Sequence, residues 1–156
     1  MKYIFIGGGY RGREFLLHNV DYGCELGACF VLREDDHEDV IFSEEIEEIC
    51  SRQSVPCVVT RKLATSDYQL IRSVEANFGV VCGWRTMIQL ENMGRVGDHL
   101  FAAHDSLLPR YRGFAPLSWA IINGETHSGV TLFRLDSGID SGDIVDQEII
   151  PIDSCD

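Results

Sequence analysis

The stretch that decides the fold reads Phe101-Ala-Ala-His-Asp-Ser-Leu-Leu-Pro-Arg-Tyr-Arg-Gly113. An apolar strand over residues 100–103 would deliver His104 to the edge of a sheet. The proline, glycine and arginines that follow can continue neither a strand nor a helix. Because α/β proteins place their chemistry in such loops, His104 is a candidate acid–base residue. The alternative is that His104 only ends the strand and hydrogen-bonds within its own loop.

Strand and helix patterns alternate before this loop. Predicted strands cover residues 2–6, 26–32, 55–59 and 78–82, and predicted helices cover 13–19, 43–52 (capped by Ser43) and a segment starting at 66 or 67. Such alternation with short connections predicts a parallel sheet with right-handed crossovers. The expected fold class is therefore α/β.

The pattern changes after the loop. Pro116 suits a first helical position and Gly124 a helix end, which together predict a helix over residues 117–123. Two further strands, 129–135 and 144–152, flank the turn-rich segment 136–143 and favour a hairpin-like pair. We expect one domain over residues 1–156, and the absence of a closing helix after the last strand also fits a truncated carboxyl-terminal end.

Composition narrows the function classes. The chain of 156 residues carries a net charge of −12, which disfavours a broad nucleic-acid-binding face, since such faces need clustered lysine and arginine. No apolar run approaches the roughly 20 residues that span a membrane. The first apolar run breaks at three glycines, unlike a signal peptide. We therefore expect a cytoplasmic protein that does not act at membranes.

The potential metal ligands form no recognisable pattern. The six cysteines contain no C-x-x-C pair, and most lie in apolar runs, so they are expected to be reduced core residues. His37-Glu38 and Asp98-His99 lack further ligands at useful spacing. The sequence predicts no metal site.

A glycine motif follows the first strand. Gly7-x-Gly9-x-x-Gly12 precedes a helix, and Glu34, Asp35 and Asp36 come about 20 residues later, as in a dinucleotide-binding fingerprint. The same glycines can simply form a tight strand-to-helix turn. An NAD(P)-dependent oxidoreductase is therefore one alternative function.

A second chemical signal combines His104 with Asp140. A neutral imidazole can accept a proton from an attacking amine, and a nearby carboxylate can hold its tautomer and stabilise the imidazolium. The alternative is that Asp140 caps a turn between Gly138 and Gly142.

Several motifs in order carry a family resemblance. They are His104-Asp-Ser-Leu-Leu-Pro-Arg-Tyr-Arg-Gly-Phe-Ala-Pro-Leu-Ser-Trp-Ala-Ile-Ile-Asn-Gly-Glu125, Gly129-Val-Thr-Leu and Gly138-Ile-Asp-Ser-Gly-Asp-Ile144. Over residues 80–152 the chain closely resembles formyltetrahydrofolate-dependent formyltransferases, in the branch of methionyl-tRNA formyltransferase and the aminoarabinose and other amino-sugar N-formyltransferases. The resemblance implies a Rossmann-like formyltransferase fold, with a mainly parallel central sheet and flanking helices.

The resemblance also implies a reaction and three catalytic positions. The family transfers the N10-formyl group of 10-formyltetrahydrofolate to an amine through a tetrahedral oxyanion, using an asparagine, a histidine and an aspartate. His104 and Asp140 match the last two, whereas Ala102 occupies the position of the asparagine. An alanine methyl cannot donate a hydrogen bond, and losing one oxyanion donor typically costs on the order of 10²–10³ in rate.

Further site residues follow from the same resemblance. The implied cofactor-binding residues are Trp84, Arg85, Met87 and Ile88 on one wall of the pteridine pocket, and Leu135, Gly138 and Ile139 on the other. For Trp84 the alternative is a core position. The implied substrate-binding residues are Ser106, Arg110, Arg112 and Gly113. Arg112 is the preferred partner for an anionic group on the acceptor.

The expected function is formyl transfer from 10-formyltetrahydrofolate to the amine of a small acceptor, a nucleotide-linked amino sugar. The acidic charge and the lack of a further carboxyl-terminal domain weigh against a tRNA acceptor. A second hypothesis is a folate- or substrate-binding relative whose turnover is impaired because Ala102 replaces the amide. The sequence leaves the oligomeric state open.

Overall fold

The computed structural model describes residues 1–18 and 23–153. The chain forms two compact units, Met1–Leu100 and Phe101–Asp156. The predicted helix end at Asn19 and the sixth cysteine, Cys155, lie outside the described residues.

The first unit is built on four parallel strands. They are β1 (Lys2–Gly7), β2 (Glu25–Leu32), β3 (Cys57–Thr60) and β4 (Phe78–Cys82), in the spatial order β3-β2-β1-β4. Helices α1 (Gly9–His18), α2 (Ser43–Arg52) and α3 (Thr65–Ser73) connect them, and two 3₁₀ helices, Leu90–Asn92 and Gly94–His99, follow β4. The predicted parallel arrangement of alternating strands and helices is confirmed.

The core of the first unit lies around the central strands. Ile4, Phe5 and Ile6 of β1 and Phe30 of β2 have no exposed surface. Consecutive buried residues, rather than alternating ones, are what a parallel strand covered on both faces requires. The continuous apolar runs in the sequence reflect this double burial.

The starts of helices α1 and α2 differ from the prediction. Helix α1 begins at Gly9, about one turn earlier than predicted, and it includes Gly12, where an added Cβ would lie 3.2 Å from the Phe5 ring. Helix α2 covers the predicted residues, but Ser43 is its first helical residue and makes no side-chain cap. The Glu34 carboxylate instead accepts the backbone N–H groups of Phe42 and Ser43 at 2.8 and 2.9 Å. A distant carboxylate thus replaces the local cap.

Three of the five described cysteines come together in this unit. All five are free thiols. The Sγ atoms of Cys29, Cys50 and Cys57 lie within 4.8 Å of one another. Hydrogen bonds from the thiols of Cys29 and Cys57 lower the pKa of Cys50.

The second unit is antiparallel. Strand β5 (Leu100–His104) runs into this unit and pairs with β6 (His127–Arg134), which pairs in turn with β7 (Ile144–Pro151). Helix α4 (Pro116–Ile122) lies between β5 and β6 in the chain, bracketed by Pro116 and Gly124 as predicted. The predicted hairpin-like pair is confirmed as β6–β7.

No helix within the described residues is long and apolar enough to cross a membrane.

Candidate active site

His104 is the last residue of β5, and its side chain is 12% exposed. Its Nε2 atom lies 2.9 Å from the carbonyl oxygen of Tyr111, and its Nδ1 atom lies 3.6 Å from Oδ2 of Asp140. A carbonyl only accepts, so the first contact requires a proton on Nε2. Both ring nitrogens face oxygen acceptors, an arrangement that the imidazolium satisfies at both positions. The structure thus brings the two candidate residues together.

Asp140 is held in the loop between β6 and β7. It adopts φ = 46°, and its Oδ2 accepts the backbone N–H of Gly113 at 2.8 Å. The turn itself is held by Asp136, whose carboxylate accepts the N–H of Gly138 at 2.9 Å and the hydroxyl of Ser141 at 2.8 Å. Asp140 is therefore directed at the loop that follows His104, and the turn is capped by Asp136.

A buried polar network fixes the start of that loop. The Thr131 hydroxyl, fully buried in β6, donates to the Ser106 carbonyl at 2.6 Å and accepts the Leu108 N–H at 3.1 Å. The Gln147 amide of β7 donates to the Leu108 carbonyl at 2.9 Å and to Thr131 Oγ1 at 2.8 Å. Sequence reasoning missed both residues. A polar residue at a core position of an apolar strand, as in Gly129-Val-Thr-Leu, was the available signal for Thr131.

Ser106 and Arg110 differ from their expected roles as substrate contacts. Ser106 has no exposed surface, and its hydroxyl donates to the Arg110 carbonyl at 2.6 Å, so it shapes the loop from inside. The Arg110 guanidinium pairs with Glu125, which also accepts the Tyr111 hydroxyl at 2.7 Å. These hydrogen bonds, from Tyr111 and then Arg110, lower the pKa of Glu125. Glu125 was the last residue of the quoted motif, but its partners were not evident from the sequence.

Arg112 and Gly113 lie at the open side of the loop. The Arg112 side chain is exposed, and no carboxylate among the described residues pairs with it. Gly113 has φ = 88°, which favours glycine, and its N–H is already committed to Asp140. Of the four expected substrate contacts, Arg112 is thus the side chain that remains exposed and unpaired.

Ala102 lies two residues before His104 on β5, so the two side chains share one face of the strand. It is 6% exposed and pairs with Phe133 of β6. Residues 101–156 contain two side-chain amides, Asn123 and Gln147. Asn123 donates to the Tyr111 hydroxyl at 3.3 Å, and Gln147 is engaged in the buried network. Neither amide stands in for the absent asparagine.

The segment after β4 carries the predicted pteridine-binding residues of the first unit. Arg85 forms ion pairs with Glu38 at 2.8 Å and Asp35 at 3.0 Å, so it anchors the segment to the acidic loop. The Arg85 guanidinium lowers the pKa of Glu38 to about 2. Trp84 and Ile88 are half-buried, whereas Met87 is 60% exposed.

Two polar atoms of this segment are buried without a partner among the described residues. They are Nε1 of Trp84 and Oγ1 of Thr86. Buried polar groups are normally hydrogen-bonded, so unpaired ones indicate capacity reserved for a ligand or water. This chemistry fits the heteroatom-rich edge of a pteridine. Trp84 is therefore not a fully buried core residue, and its indole N–H has no hydrogen-bond acceptor among the described residues.

The second predicted wall lies on the loop after β6. Leu135 is half-buried, Gly138 donates to Asp136, and Ile139 is 62% exposed. An added Cβ at Gly138 would collide with the Ser141 side chain, which explains glycine there. The exposed Ile139 is immediately followed by Asp140, so the same short loop presents an apolar side chain and the carboxylate that faces His104.

The acidic residues of the dinucleotide-type motif have other partners. The Glu34 carboxylate holds the start of α2, and although burial opposes it, hydrogen bonds from Ser43 and Phe42 lower the pKa of Glu34. Asp35 and Asp36 pair with Arg61 at 3.7 and 2.9 Å. The glycine at position 7 packs against the Cys82 carbonyl, where any Cβ would collide. Gly7 and the three acidic residues of the motif thus have structural roles.

Known proteins resemble this chain in sequence. The sequence profile of the family described as formyl transferase matches residues 33–156. A methionyl-tRNA formyltransferase from Azobacteroides pseudotrichonymphae is 38% identical over 122 residues, which cover 77% of this chain and 37% of that protein. One from Bacteroides thetaiotaomicron is 37% identical over 109 residues, covering 69% and 33%. The chain therefore spans about a third of the length of these relatives.

Solved structures match nearly the whole chain. A phosphoribosylglycinamide formyltransferase from Bacillus halodurans has a TM-score of 0.78 at 18% identity, over 100% of this chain and 82% of that one. A sugar 3N-formyl transferase, determined in the presence of dTDP and 5-N-formyl-THF, has a TM-score of 0.74 at 24% identity, over 98% and 53%. These matches confirm the Rossmann-like fold. The sequence profile matches most of the chain and establishes that it belongs to the formyl transferase family.

Proposed function

We propose that this chain is the formyl-transfer domain of an enzyme that moves a formyl group from 10-formyltetrahydrofolate to the amine of a small acceptor, a nucleotide-linked amino sugar. The observation that carries the proposal is the contact of His104 with Asp140 at the end of β5, at 3.6 Å. Membership of the formyl transferase family supports the reaction type.

The proposed chemistry assigns a proton step to His104. Attack of an amine on a formyl carbon leaves a proton on the nitrogen, and a neutral imidazole can accept it. Asp140 would orient the ring and stabilise the imidazolium that forms. Nε2 now meets the Tyr111 carbonyl, so the acceptor amine would take the place of that carbonyl. Tyr111 has φ = 57°, an unfavourable conformation for a residue with a Cβ, which favours such a change.

Two features support the proposed partners. Trp84 Nε1 and Thr86 Oγ1 would supply hydrogen bonds to the folate ring, and Met87 would pack on its face. The exposed guanidinium of Arg112 would bind a phosphate of the acceptor in a bidentate manner. The net charge of −12 opposes a polyanion as large as tRNA.

A second candidate function rests on Ala102. Without an amide at this position, and with both amides of residues 101–156 engaged elsewhere, the oxyanion lacks a side-chain amide donor from this unit. The second candidate is therefore a domain that binds folate and acceptor but turns over slowly.

An assay with matched variants tests both candidates. We expect Ala102→Asn to increase the rate of formyl transfer by about 10²–10³, because it adds one oxyanion donor. The control is Ala103→Asn, which places the same amide on the other face of β5 and should give no increase. Purified protein is incubated with 10-formyltetrahydrofolate, and tetrahydrofolate release and the mass of the acceptor are followed.

The acceptor panel contains nucleotide-linked amino sugars, glycinamide ribonucleotide and methionyl-tRNA. Equal rates for Ala102→Asn and the unsubstituted protein would contradict the argument about the missing donor. Folate binding without turnover in the unsubstituted protein, with turnover in the variant, would favour the second candidate. Formylation of methionyl-tRNA alone would show that the acceptor assignment is wrong.

A further inference from the structure

Three elements of the first unit each contribute one thiol to a single cluster. Cys29 lies in β2, Cys57 is its register partner at the start of β3, and Cys50 lies in the last turn of α2. Their Sγ atoms all lie within 4.8 Å of one another. The catalytic proposal uses none of these residues.

We propose that Cys29, Cys50 and Cys57 bind one Cu(I) ion through three thiolates. A cation with metal–sulfur distances of about 2.3 Å holds its sulfur ligands about 4 Å apart, so small side-chain rotations suffice to close the present arrangement. Thiolates are soft ligands and select soft cations such as Cu(I) over oxygen-preferring ions. Binding releases the thiol protons to solvent and involves no change of oxidation state.

The coordination number favours Cu(I) over zinc. Structural zinc sites take four protein ligands, and within the described ranges no fourth histidine, cysteine or carboxylate joins this group. Cys29 and Cys50 have no exposed surface, so water has poor access as a fourth ligand. Cu(I), in contrast, is stable with three sulfur ligands. Cys57 is partly exposed and offers the entry path for the ion.

The test is metal binding by the reduced, full-length chain. Cu(I) is supplied anaerobically as its bicinchoninate complex, and transfer to the protein is followed by loss of the coloured complex. We expect one equivalent per chain, with three sulfur neighbours in X-ray absorption at the copper edge. The Cys57→Ser variant should lose this equivalent, and its circular dichroism spectrum shows whether it folds.

Two variants serve as controls. Cys24 is partly exposed like Cys57, and Cys82 is buried like Cys50, but neither belongs to the cluster. Cys24→Ser and Cys82→Ser should therefore retain the bound copper. Equal uptake by folded Cys57→Ser would overturn the proposal, as would no uptake by the unsubstituted protein or tighter binding of Zn(II) than of Cu(I).

Discussion

His104 is held between oxygen atoms of two different loops. The Tyr111 carbonyl belongs to the loop after β5, and the Asp140 carboxylate belongs to the loop after β6. Asp140 also accepts the Gly113 N–H, so one carboxylate joins both loops. The Asp140 carboxylate thus has two roles: its negative charge faces His104, and its oxygen accepts the Gly113 N–H. A substitution that keeps the oxygen but removes the charge separates these roles.

Asp140→Asn keeps an oxygen for the Gly113 N–H but removes the negative charge near His104. We expect formyl transfer to fall by about 10²-fold or more, because the imidazolium loses its counter-charge. The free energy of unfolding should change little. Rates are measured in the Ala102→Asn background, where turnover is expected to be highest, alongside urea unfolding.

The control for this substitution is Asp143→Asn. Asp143 is an exposed residue of the same loop, and its backbone carbonyl, not its side chain, accepts the Arg134 N–H. Its substitution should leave the rate unchanged. If the two variants lose equal activity, the charge of Asp140 has no specific role.

For individual residues, the sequence predicted which side chains belong to the candidate site better than it predicted which residues they contact. His104 and Asp140 stand in recognisable motifs, and the structure places them together. The sequence could not show that Ser106 is buried, or that Arg110 pairs with Glu125 and Arg85 with Glu38, because these contacts join residues up to 47 positions apart. The cysteine cluster escaped prediction for the same reason.

Helices α2 and α4 end in the same hydrogen-bond pattern. After α2, the N–H groups of Ser54 and Val55 bond to the carbonyls of Ser51 and Cys50. After α4, Gly124 and Glu125 repeat the pattern. Both Ser54 and Gly124 have positive φ, 56° and 70°, where a Cβ is unfavourable. The two helix ends therefore differ mainly in that glycine adopts the left-handed conformation readily, whereas serine adopts it at a cost.

A reciprocal pair of substitutions follows from this comparison. We expect Ser54→Gly to raise the free energy of unfolding and Gly124→Ser to lower it, each by about 0.5–1 kcal/mol. This is the strain of a Cβ in the left-handed conformation, reduced by the greater conformational freedom of glycine in the unfolded chain. Urea unfolding of both variants measures the effect. Shifts of the same sign would contradict this explanation.

Element predictions were accurate for parts of the first unit. The strand over residues 78–82 has the predicted bounds, and helix α2 ends at Arg52 as predicted. Ends were less accurate where distant residues decide them. Glu34 caps α2 from nine residues away, and α3 begins at Thr65, with Asp67 at its third position accepting the Ala64 N–H at 2.7 Å.

For the whole molecule, the carboxylates with resolved shifts all respond to acid in one direction. The pKa values of Glu34, Glu38 and Glu125 are all lowered by hydrogen bonds or ion pairs. At these three groups the folded state binds fewer protons than the unfolded state over the acidic range, so their contribution to stability falls as the pH falls. Glu38 has the largest resolved effect, with a pKa of about 2.

The contribution of Glu38 is complete above its unfolded pKa of about 4.3 and is lost as the pH falls towards its folded value. We expect Glu38→Gln to unfold more readily at pH 6 and to differ less from the unsubstituted protein at pH 2.5. Urea unfolding over this range measures the difference. Glu91→Gln, at an exposed residue without an ion pair among those described, is the control. A difference that stays constant with pH would contradict the assignment.

Strand β7 lies at an edge of the sheet within the described residues. All its residues are exposed, and within the described part of the chain it pairs only with β6, so one row of backbone N–H and C=O groups faces solvent. Such a row can accept a strand from a second molecule, and Asp146 and Glu148 oppose this by charge. The net charge that keeps whole molecules apart falls to zero near the isoelectric point of 4.7. Solutions of the protein should therefore turn cloudy on mild acidification before the fold itself is lost.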